Sequence, residues 1–139
     1  MNSEKFTEKS IGAISGAHEF ATKYGHGSIK IEHLLLALVS QMEGLIPKIL
    51  EKMGKDVSRF ISKIEAELNR FPKVSGGNLY MDSSLAKVLD NAEKEAKNYG
   101  DSYVSVEHLF LAILKEKISL VESEGILLKE FEKVLKELR

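Results

Sequence analysis

A nine-residue stretch that occurs twice constrains the fold more than any other feature of the sequence. Residues 31–39 read IEHLLLALV and residues 106–114 read VEHLFLAIL, at an offset of 75 positions. At the same offset, 9 of the 23 positions in residues 17–39 are identical to their counterparts in residues 92–114. Chance does not explain such agreement at one fixed offset, so the chain is predicted to be a tandem repeat.

The spacing of apolar residues predicts helices in both copies. Apolar residues recur every three or four positions, as on one face of an amphipathic helix, and the strict alternation of a β-strand is absent. Thr7, Asp56 and Asp82 can cap the first, fourth and fifth helices. Gly44 is expected to end the second helix, and Pro47 suits the first turn of the third. The predicted fold class is all-α, a pseudo-twofold tandem repeat of two four-helix units with about eight helices.

A turn-rich segment separates the two copies. Residues 72–80 contain a proline, a serine, two glycines and an asparagine, which favour turns over regular structure. We therefore expect repeat 1 at residues 1–71, a linker at residues 72–80 and repeat 2 at residues 81–139. Either half, at roughly 65 residues, would bury too little apolar surface alone, so both copies are predicted to form one domain over residues 1–139.

Composition excludes several classes of function. The 20 Lys and Arg residues nearly cancel the 21 Asp and Glu residues, which gives no electrostatic reason to expect nucleic acid or an anionic membrane as a partner. The absence of cysteine excludes disulfide scaffolds, thiolate metal sites and cysteine nucleophiles. Neither a signal peptide nor an apolar run of about 18 residues is present. We expect a cytoplasmic protein.

The repeated Glu-His pair invites a comparison with metal sites. Adjacent residues on a helix point about 100° apart, so Glu32 and His33, or Glu107 and His108, cannot share an ion as an i, i+4 pair could. The two histidines are expected to pack between helices with a ring nitrogen bonded to backbone or solvent. No phosphate-binding loop and no Ser-His-Asp arrangement is present, so no catalytic residue, metal ligand or cofactor is assigned to this chain.

Four polar residues allow both a structural and a binding interpretation. Glu32 and Glu107 lie in the first turn of a helix, where the helix dipole favours a carboxylate. The repeat also places these two carboxylates in related positions near the pseudo-symmetry axis, where they could receive a cationic or donor group from a ligand. Thr7 and Asp101 have the same two interpretations, because a cap and a loop residue are sufficient structural roles for them.

These motifs resemble the N-terminal repeat domain of the Clp/Hsp100 unfoldases and disaggregases. The resemblance covers essentially the whole chain. It rests on the Phe6-Thr7 start, the Tyr24-Gly25 helix end, the twice-occurring Glu-His-Leu-x-Leu-Ala motif and the segment LNRFPKVSGG at residues 68–77. That last segment looks most like the ClpB disaggregases, rather than the protease-coupled ClpA and ClpC.

The resemblance implies a recognition domain joined by a flexible linker to an ATPase ring in a parent chain. ClpB-like proteins use a Thr, an Asp and a Glu that fall on Thr7, Asp101 and Glu107. In ClpC-like relatives, glutamates that match Glu32 and Glu107 receive phosphorylated arginine. One departure is that apolar groove positions of ClpB relatives fall here on Asn91 and Glu95.

The sequence thus favours a non-enzymatic substrate-recognition domain of a ClpB-type disaggregase. The implied partners are unfolded or aggregated clients and adaptor proteins. The parent protein is implied to be a hexameric AAA+ ATPase that works with the DnaK system and alone binds ATP, whereas the isolated domain is expected to be a monomer. The alternatives are an adaptor- or phosphoarginine-binding domain of a ClpC- or ClpA-type unfoldase, and a free-standing helical scaffold.

The isolated chain is expected neither to bind nor to hydrolyse ATP, because the sequence contains no phosphate-binding loop. Isothermal titration calorimetry with ATP and magnesium should give no saturable heat. Stoichiometric nucleotide binding would contradict the recognition-domain interpretation.

Overall fold

Helices account for most of the chain. The computed structural model describes residues 2–139. Over that range a 3-10 helix, η1 (Ser3–Lys5), precedes eight α-helices: α1 (Glu8–Lys23), α2 (Ile31–Ser40), α3 (Leu45–Lys52), α4 (Val57–Arg70), α5 (Ser83–Asn98), α6 (Val106–Lys115), α7 (Ser119–Glu122) and α8 (Leu128–Leu138). The predicted all-α fold with two sets of four helices is confirmed. The predicted repeat boundaries stay a prediction, and the predicted first residue of repeat 1 lies outside the described range.

Side-chain caps explain where three helices begin. The Thr7 hydroxyl oxygen accepts a hydrogen bond from the Ser10 amide at 3.2 Å, as expected for the N-cap of α1. Asp56 caps α4 and Asp82 caps α5 in the same way, each at 3.1 Å. The prediction for α2 was wrong at its end, because α2 stops at Ser40 and Gly44 instead precedes α3 as its N-cap.

Two short strands, β1 (Ser28–Ile29) and β2 (Tyr80–Met81), form a parallel pair that the sequence analysis did not predict. Strands of two residues are too short to leave an alternating pattern. Phe6 and Val104 form a parallel bridge that is the counterpart of this pair 75 positions along the chain. In each case the segment that precedes the first helix of one repeat pairs with the loop that precedes the second helix of the other repeat.

We call these two inter-repeat pairings, the Phe6–Val104 bridge and the β1–β2 pair, crossings. Their backbone hydrogen bonds correspond closely. The Thr7 amide donates to the Val104 carbonyl at 3.0 Å, and the Asp82 amide donates to the Ile29 carbonyl at 2.9 Å. Both donors are helix N-caps, so each crossing also fixes the start of a helix. The repeats are therefore joined by reciprocal contacts as well as by the chain itself.

A single hydrophobic cluster contains side chains from both repeats, with α2 and α6 at its centre. These two helices are buried nearly all round and contact each other. Small residues bring α1 close to α2: a Cβ atom on Gly16 would lie 3.2 Å from the Ala37 Cβ. One shared core explains why the two halves fit into 139 residues.

No single helix within residues 2–139 is long and apolar enough to cross a membrane. Helices α2 and α3 together have the length and composition of a membrane span, but they are bent by 81° at the break between them. Their apolar side chains are mostly buried in the core.

Leu36→Ala and Leu111→Ala, at matching positions of α2 and α6, are each expected to cost about 2–5 kcal/mol of unfolding free energy, because the two side chains are 2% and 0% exposed. Urea unfolding should remain one cooperative transition in both variants. A loss under about 1 kcal/mol at both positions, or separate transitions for the two halves, would contradict the shared core.

Candidate functional site

The first helix of each repeat ends in the same way and so places the next residue at an equivalent position. Gly25 and Gly100 follow the helices with φ of 73° and 71°, a conformation that glycine adopts without strain. The His26 amide then donates to the Ala21 carbonyl, and the Asp101 amide to the Ala96 carbonyl, each at 2.9 Å. His26 in repeat 1 is thus the positional counterpart of Asp101 in repeat 2.

The repeated histidines cap the N-terminus of the second helix in each copy. The Nδ1 atoms of His33 and His108 accept hydrogen bonds from the Lys30 and Ser105 amides, each at 2.8 Å. Because Nδ1 accepts, the proton of the neutral ring is on Nε2, which is free to donate. Both rings are fully buried.

In repeat 2 this proton is directed at Asp101. The His108 Nε2 atom donates to Asp101 Oδ2 at 2.8 Å, and the Arg139 guanidinium donates to Asp101 Oδ1. The bond from Arg139, with a further contribution from His108, lowers the pKa of the Asp101 carboxyl below its ordinary value. Arg139 also lies over the Tyr99 ring, 5.2 Å from its centroid. Asp101 is therefore an oriented carboxylate and not a free loop side chain.

Three of the four predicted binding residues lie together. Thr7, Asp101 and Glu107 line one shallow pocket of about 290 Å³, and its remaining lining residues are Ser102, Tyr103, Ser105 and Arg139. Thr7 belongs to the start of repeat 1, whereas Asp101 and Glu107 belong to repeat 2, so the Phe6–Val104 crossing assembles this pocket. We call it the Thr7–Asp101–Glu107 pocket.

Glu32 lies apart from that pocket, at the corresponding place in repeat 1. Burial raises the pKa of its carboxyl, Lys30 opposes the effect, and the nearby carboxylates Glu67 and Asp82 add to it. The Lys30 Nζ atom is 3.6 Å from Asp82 Oδ1. The structure thus gives each repeat one half-buried glutamate at the start of its second helix, in different surroundings.

The two polar groove positions differ in what they contact. Glu95 is buried on α5, and its carboxylate lies 2.6 Å from the Lys115 ammonium. Asn91 is half-buried one turn earlier. A charged pair between α5 and α6 therefore occupies one of the two positions at which the family resemblance implied an apolar groove.

Sequence reasoning missed Arg139 and Tyr103 as members of the pocket. Arg139 is 38 residues from Asp101, and no local pattern reports a contact over that separation. Tyr103 is 55% exposed, and its position next to the Phe6–Val104 crossing became visible only with the fold. The repeat preserves the histidine at positions 33 and 108, which indicates a structural role for it, but the bond from His108 to Asp101 became visible only with the fold.

Metal ligands do not cluster in the part of the chain that the structure describes: no group of three or more His, Asp or Glu side chains is placed to hold an ion. His33 and His108 direct both ring nitrogens at protein partners. These two rings are therefore engaged in the fold.

The fold is shared with N-terminal domains of Hsp100 proteins. It matches the Hsp104 N-terminal domain from Candida albicans with a TM-score of 0.85 at 21% identity, over 97% of this chain and 91% of that one. It also matches the ClpV N-domain solved in complex with a VipB peptide, with a TM-score of 0.70 at 16% identity, over 91% of this chain and 89% of that one. The chain thus has the all-α fold of these N-terminal domains.

The chain belongs to the Clp repeat (R) N-terminal domain family, whose sequence profile matches residues 5–124. This domain is an accessory domain of AAA+ chaperones. The chain is 40% identical to the chaperone protein ClpB from Nitratidesulfovibrio vulgaris over 97% of its own length. It spans 16% of the length of that relative.

Asp101→Ala is expected to cost about 1–3 kcal/mol of unfolding free energy, because it leaves the buried His108 Nε2–H without an acceptor. Asp101→Asn should cost less, since its amide oxygen can accept the same bond. Since the pKa of Asp101 is lowered in the folded protein, the carboxylate stabilises the fold above its ordinary pKa of about 4 and loses this effect only at lower pH.

Urea unfolding at pH 7, with Glu107→Gln as a control expected to lose under about 1 kcal/mol, tests this role. Equal stability of Asp101→Ala and the unmodified chain would contradict a structural role for the Asp101–His108 bond.

Proposed function

We propose that this chain is the substrate-recognition domain of a ClpB-type ATP-dependent disaggregase. In this proposal it binds unfolded or aggregated polypeptide and passes it to an AAA+ ring in the parent protein. The observation that supports it is the juxtaposition of Thr7, Asp101 and Glu107 in one solvent-facing pocket. Membership of the Clp repeat family and the similarity to ClpB agree with it.

The chemistry of the pocket suits an extended polypeptide. Two carboxylates can accept hydrogen bonds from backbone amides or cationic side chains, and the Thr7 hydroxyl lies beside them. The exposed Tyr103 ring offers an apolar surface with a polar end. Such a site discriminates little between sequences, which is what a receptor for many unfolded clients requires.

The carboxylate of Asp101 is oriented before any client arrives. His108 and Arg139 fix its two oxygens, and His108 is itself held by the Ser105 amide. An oriented acceptor loses less side-chain entropy on binding. Arg139 already contacts Asp101, so a client donor must share this carboxylate or displace the guanidinium. We therefore expect weak, readily reversible binding.

The parent protein carries the rest of the proposed activity. We propose a cytoplasmic hexamer that hydrolyses ATP in its ring and cooperates with the DnaK system, as expected for a ClpB. The alternative of an adaptor- or phosphoarginine-binding domain of a ClpC- or ClpA-type unfoldase assigns the binding to Glu32 as well as Glu107. Because these glutamates lie in different surroundings, substitution can distinguish the two functions.

Glu107→Gln and Asp101→Asn are each expected to weaken binding of fluorescently labelled casein by about three- to tenfold, which corresponds to about 0.7–1.4 kcal/mol per lost interaction, whereas Thr7→Ser keeps the hydroxyl and should bind within about twofold of the unmodified chain. These substitutions change charge or one methyl group and keep the cap and the His108 bond available. Fluorescence anisotropy measures the affinity, and circular dichroism checks that each variant is folded.

Glu51→Gln, on the exposed surface of α3, is the matched control and should bind casein as the unmodified chain does. A phosphoarginine peptide is added as a competitor to the unmodified chain and to Glu32→Gln. Tight competition that requires Glu32 would favour the ClpC-type alternative. Unchanged casein affinity in both Glu107→Gln and Asp101→Asn would reject the Thr7–Asp101–Glu107 pocket as the client site.

A further inference from the structure

Repeat 1 contains a pair of buried histidines where repeat 2 has a histidine and a carboxylate. His26 Nδ1 lies 2.8 Å from His33 Nε2, and the two side chains belong to residues that are 7% and 0% exposed. His33 Nδ1 accepts from the Lys30 amide, so His33 must donate through Nε2 and His26 must accept through Nδ1. The pair is therefore held together by one hydrogen bond between two neutral rings.

The segment of residues 71–79, which follows α4, packs over this pair. Phe71 contacts both rings, with centroid distances of 5.5 Å to His26 and 6.4 Å to His33. The Val74 amide donates to the Gly25 carbonyl at 2.9 Å. Residues 24–33, which we call the α1–α2 corner, thus form the surface on which the segment rests.

A second hydrogen bond holds the segment, since the Lys73 ammonium donates to the Tyr24 carbonyl at 2.9 Å. The Val74 side chain lies against Gly27, where an added Cβ atom would approach it to 3.3 Å. Tyr24 stacks on the His26 ring at 5.6 Å between centroids. The histidine pair is therefore enclosed by the corner on one side and by residues of the segment on the other.

A proton has no favourable place to bind in this arrangement. The two unprotonated nitrogens are His26 Nδ1, which accepts from His33, and His33 Nδ1, which accepts from Lys30. Protonation of His26 Nδ1 would set two N–H groups against each other, and protonation of His33 Nδ1 would break the helix cap. Either event removes a buried hydrogen bond and leaves a buried cation.

The charges around the pair add to this effect. Lys30 at the start of α2 and Lys73 in the segment are the cations that act on His26. Burial, followed by the neighbouring ring of His26 and the Lys30 charge, lowers the pKa of His33 to about 4. Burial also lowers the pKa of His26, which the Leu68 carbonyl only partly opposes.

The carboxylates on the surrounding elements interact with Lys30, Glu32 and Tyr24, and not with the histidine pair. Asp82, at the start of α5, pairs with Lys30. Glu67 on α4 acts on Glu32 of α2, and Glu65 on α4 acts on Tyr24. Repeat 2 differs, because there the Asp101 carboxylate accepts from the histidine, so that repeat has no second imidazole nitrogen at the place that His26 Nδ1 takes in repeat 1.

We propose that the His26–His33 pair is a pH-sensitive latch, which holds residues 71–79 against the α1–α2 corner at neutral pH and releases them when the pair takes up a proton. Release uncovers the aromatic surface of Tyr24 and Phe71. The rest of the fold, including the Thr7–Asp101–Glu107 pocket, stays closed, since repeat 2 has a carboxylate in place of the second histidine.

The direction of the pH dependence follows from proton binding. The closed latch binds fewer protons than the open one wherever the histidine pKa is lowered, so closing is favoured above the ordinary histidine pKa of about 6.5 and weakens as the pH falls below it. Between pH 7 and pH 5 the open fraction should rise on the order of tenfold.

Hydrogen exchange followed by NMR tests the latch. The protection factor of the Val74 amide, which already accounts for the intrinsic pH dependence of exchange, should fall on the order of tenfold from pH 7 to pH 5. The protection factor of the Val104 amide of repeat 2, which donates to the Lys5 carbonyl, should change less than about twofold and serves as the internal control.

His26→Asp gives repeat 1 the arrangement of repeat 2 and should reduce the change at Val74 to within about twofold. If that variant does not fold, His26→Asn keeps an acceptor for His33 and removes the proton-binding site between the rings, so the change at Val74 should shrink. A pH-independent Val74 amide, a full tenfold loss in the variant that folds, or loss of protection at Leu111 at the same pH would overturn the proposal.

Discussion

The reciprocal crossing of the two repeats is the constraint on which the rest of this structure depends. The segment before α1 pairs with the loop before α6, and the segment before α5 pairs with the loop before α2. Each crossing supplies the N-cap of a helix from residues that are held by the opposite repeat. The candidate pocket follows directly, since Thr7 reaches Asp101 and Glu107 only through the crossing at Val104. The candidate pocket and the fold thus depend on the same few backbone hydrogen bonds.

Much of the fold could be predicted from the sequence because its signals are local and occur twice. The 75-residue offset, the apolar periodicity and the caps at Thr7, Asp56 and Asp82 all report on neighbouring residues. The end of α2 at Ser40 and the two-residue strands could not be predicted in this way. The strands form by pairing between segments distant in sequence, where local propensity carries little information. The residue after α2, Gln41, also makes a long-range contact, since its side chain donates to the Lys9 carbonyl.

The candidate site shows the same division. Thr7, Asp101 and Glu107 were selected from a family resemblance, and the structure brings them into one pocket. The contacts that orient Asp101 come from His108 and from Arg139, which is 38 residues away. The repeat makes His26 the counterpart of Asp101, but the hydrogen bond between His26 and His33 is visible only in the structure. The repeat pattern therefore located the equivalent positions, and the structure showed that the two copies use different chemistry there.

The turn at Gly100 has a consequence for how the domain responds to mutation. An added Cβ atom at this glycine would meet no other atom within 4 Å, yet its φ of 71° is strained for any other residue except in rare cases. A substitution there would displace Asp101, which follows it directly, without touching the pocket or the core. Under the proposed function, a substitution of Gly100 would therefore weaken client binding although Gly100 does not line the pocket. The effect of a substitution at Gly100 would therefore report on the orientation of the Asp101 carboxylate, and not on a contact made by position 100 itself.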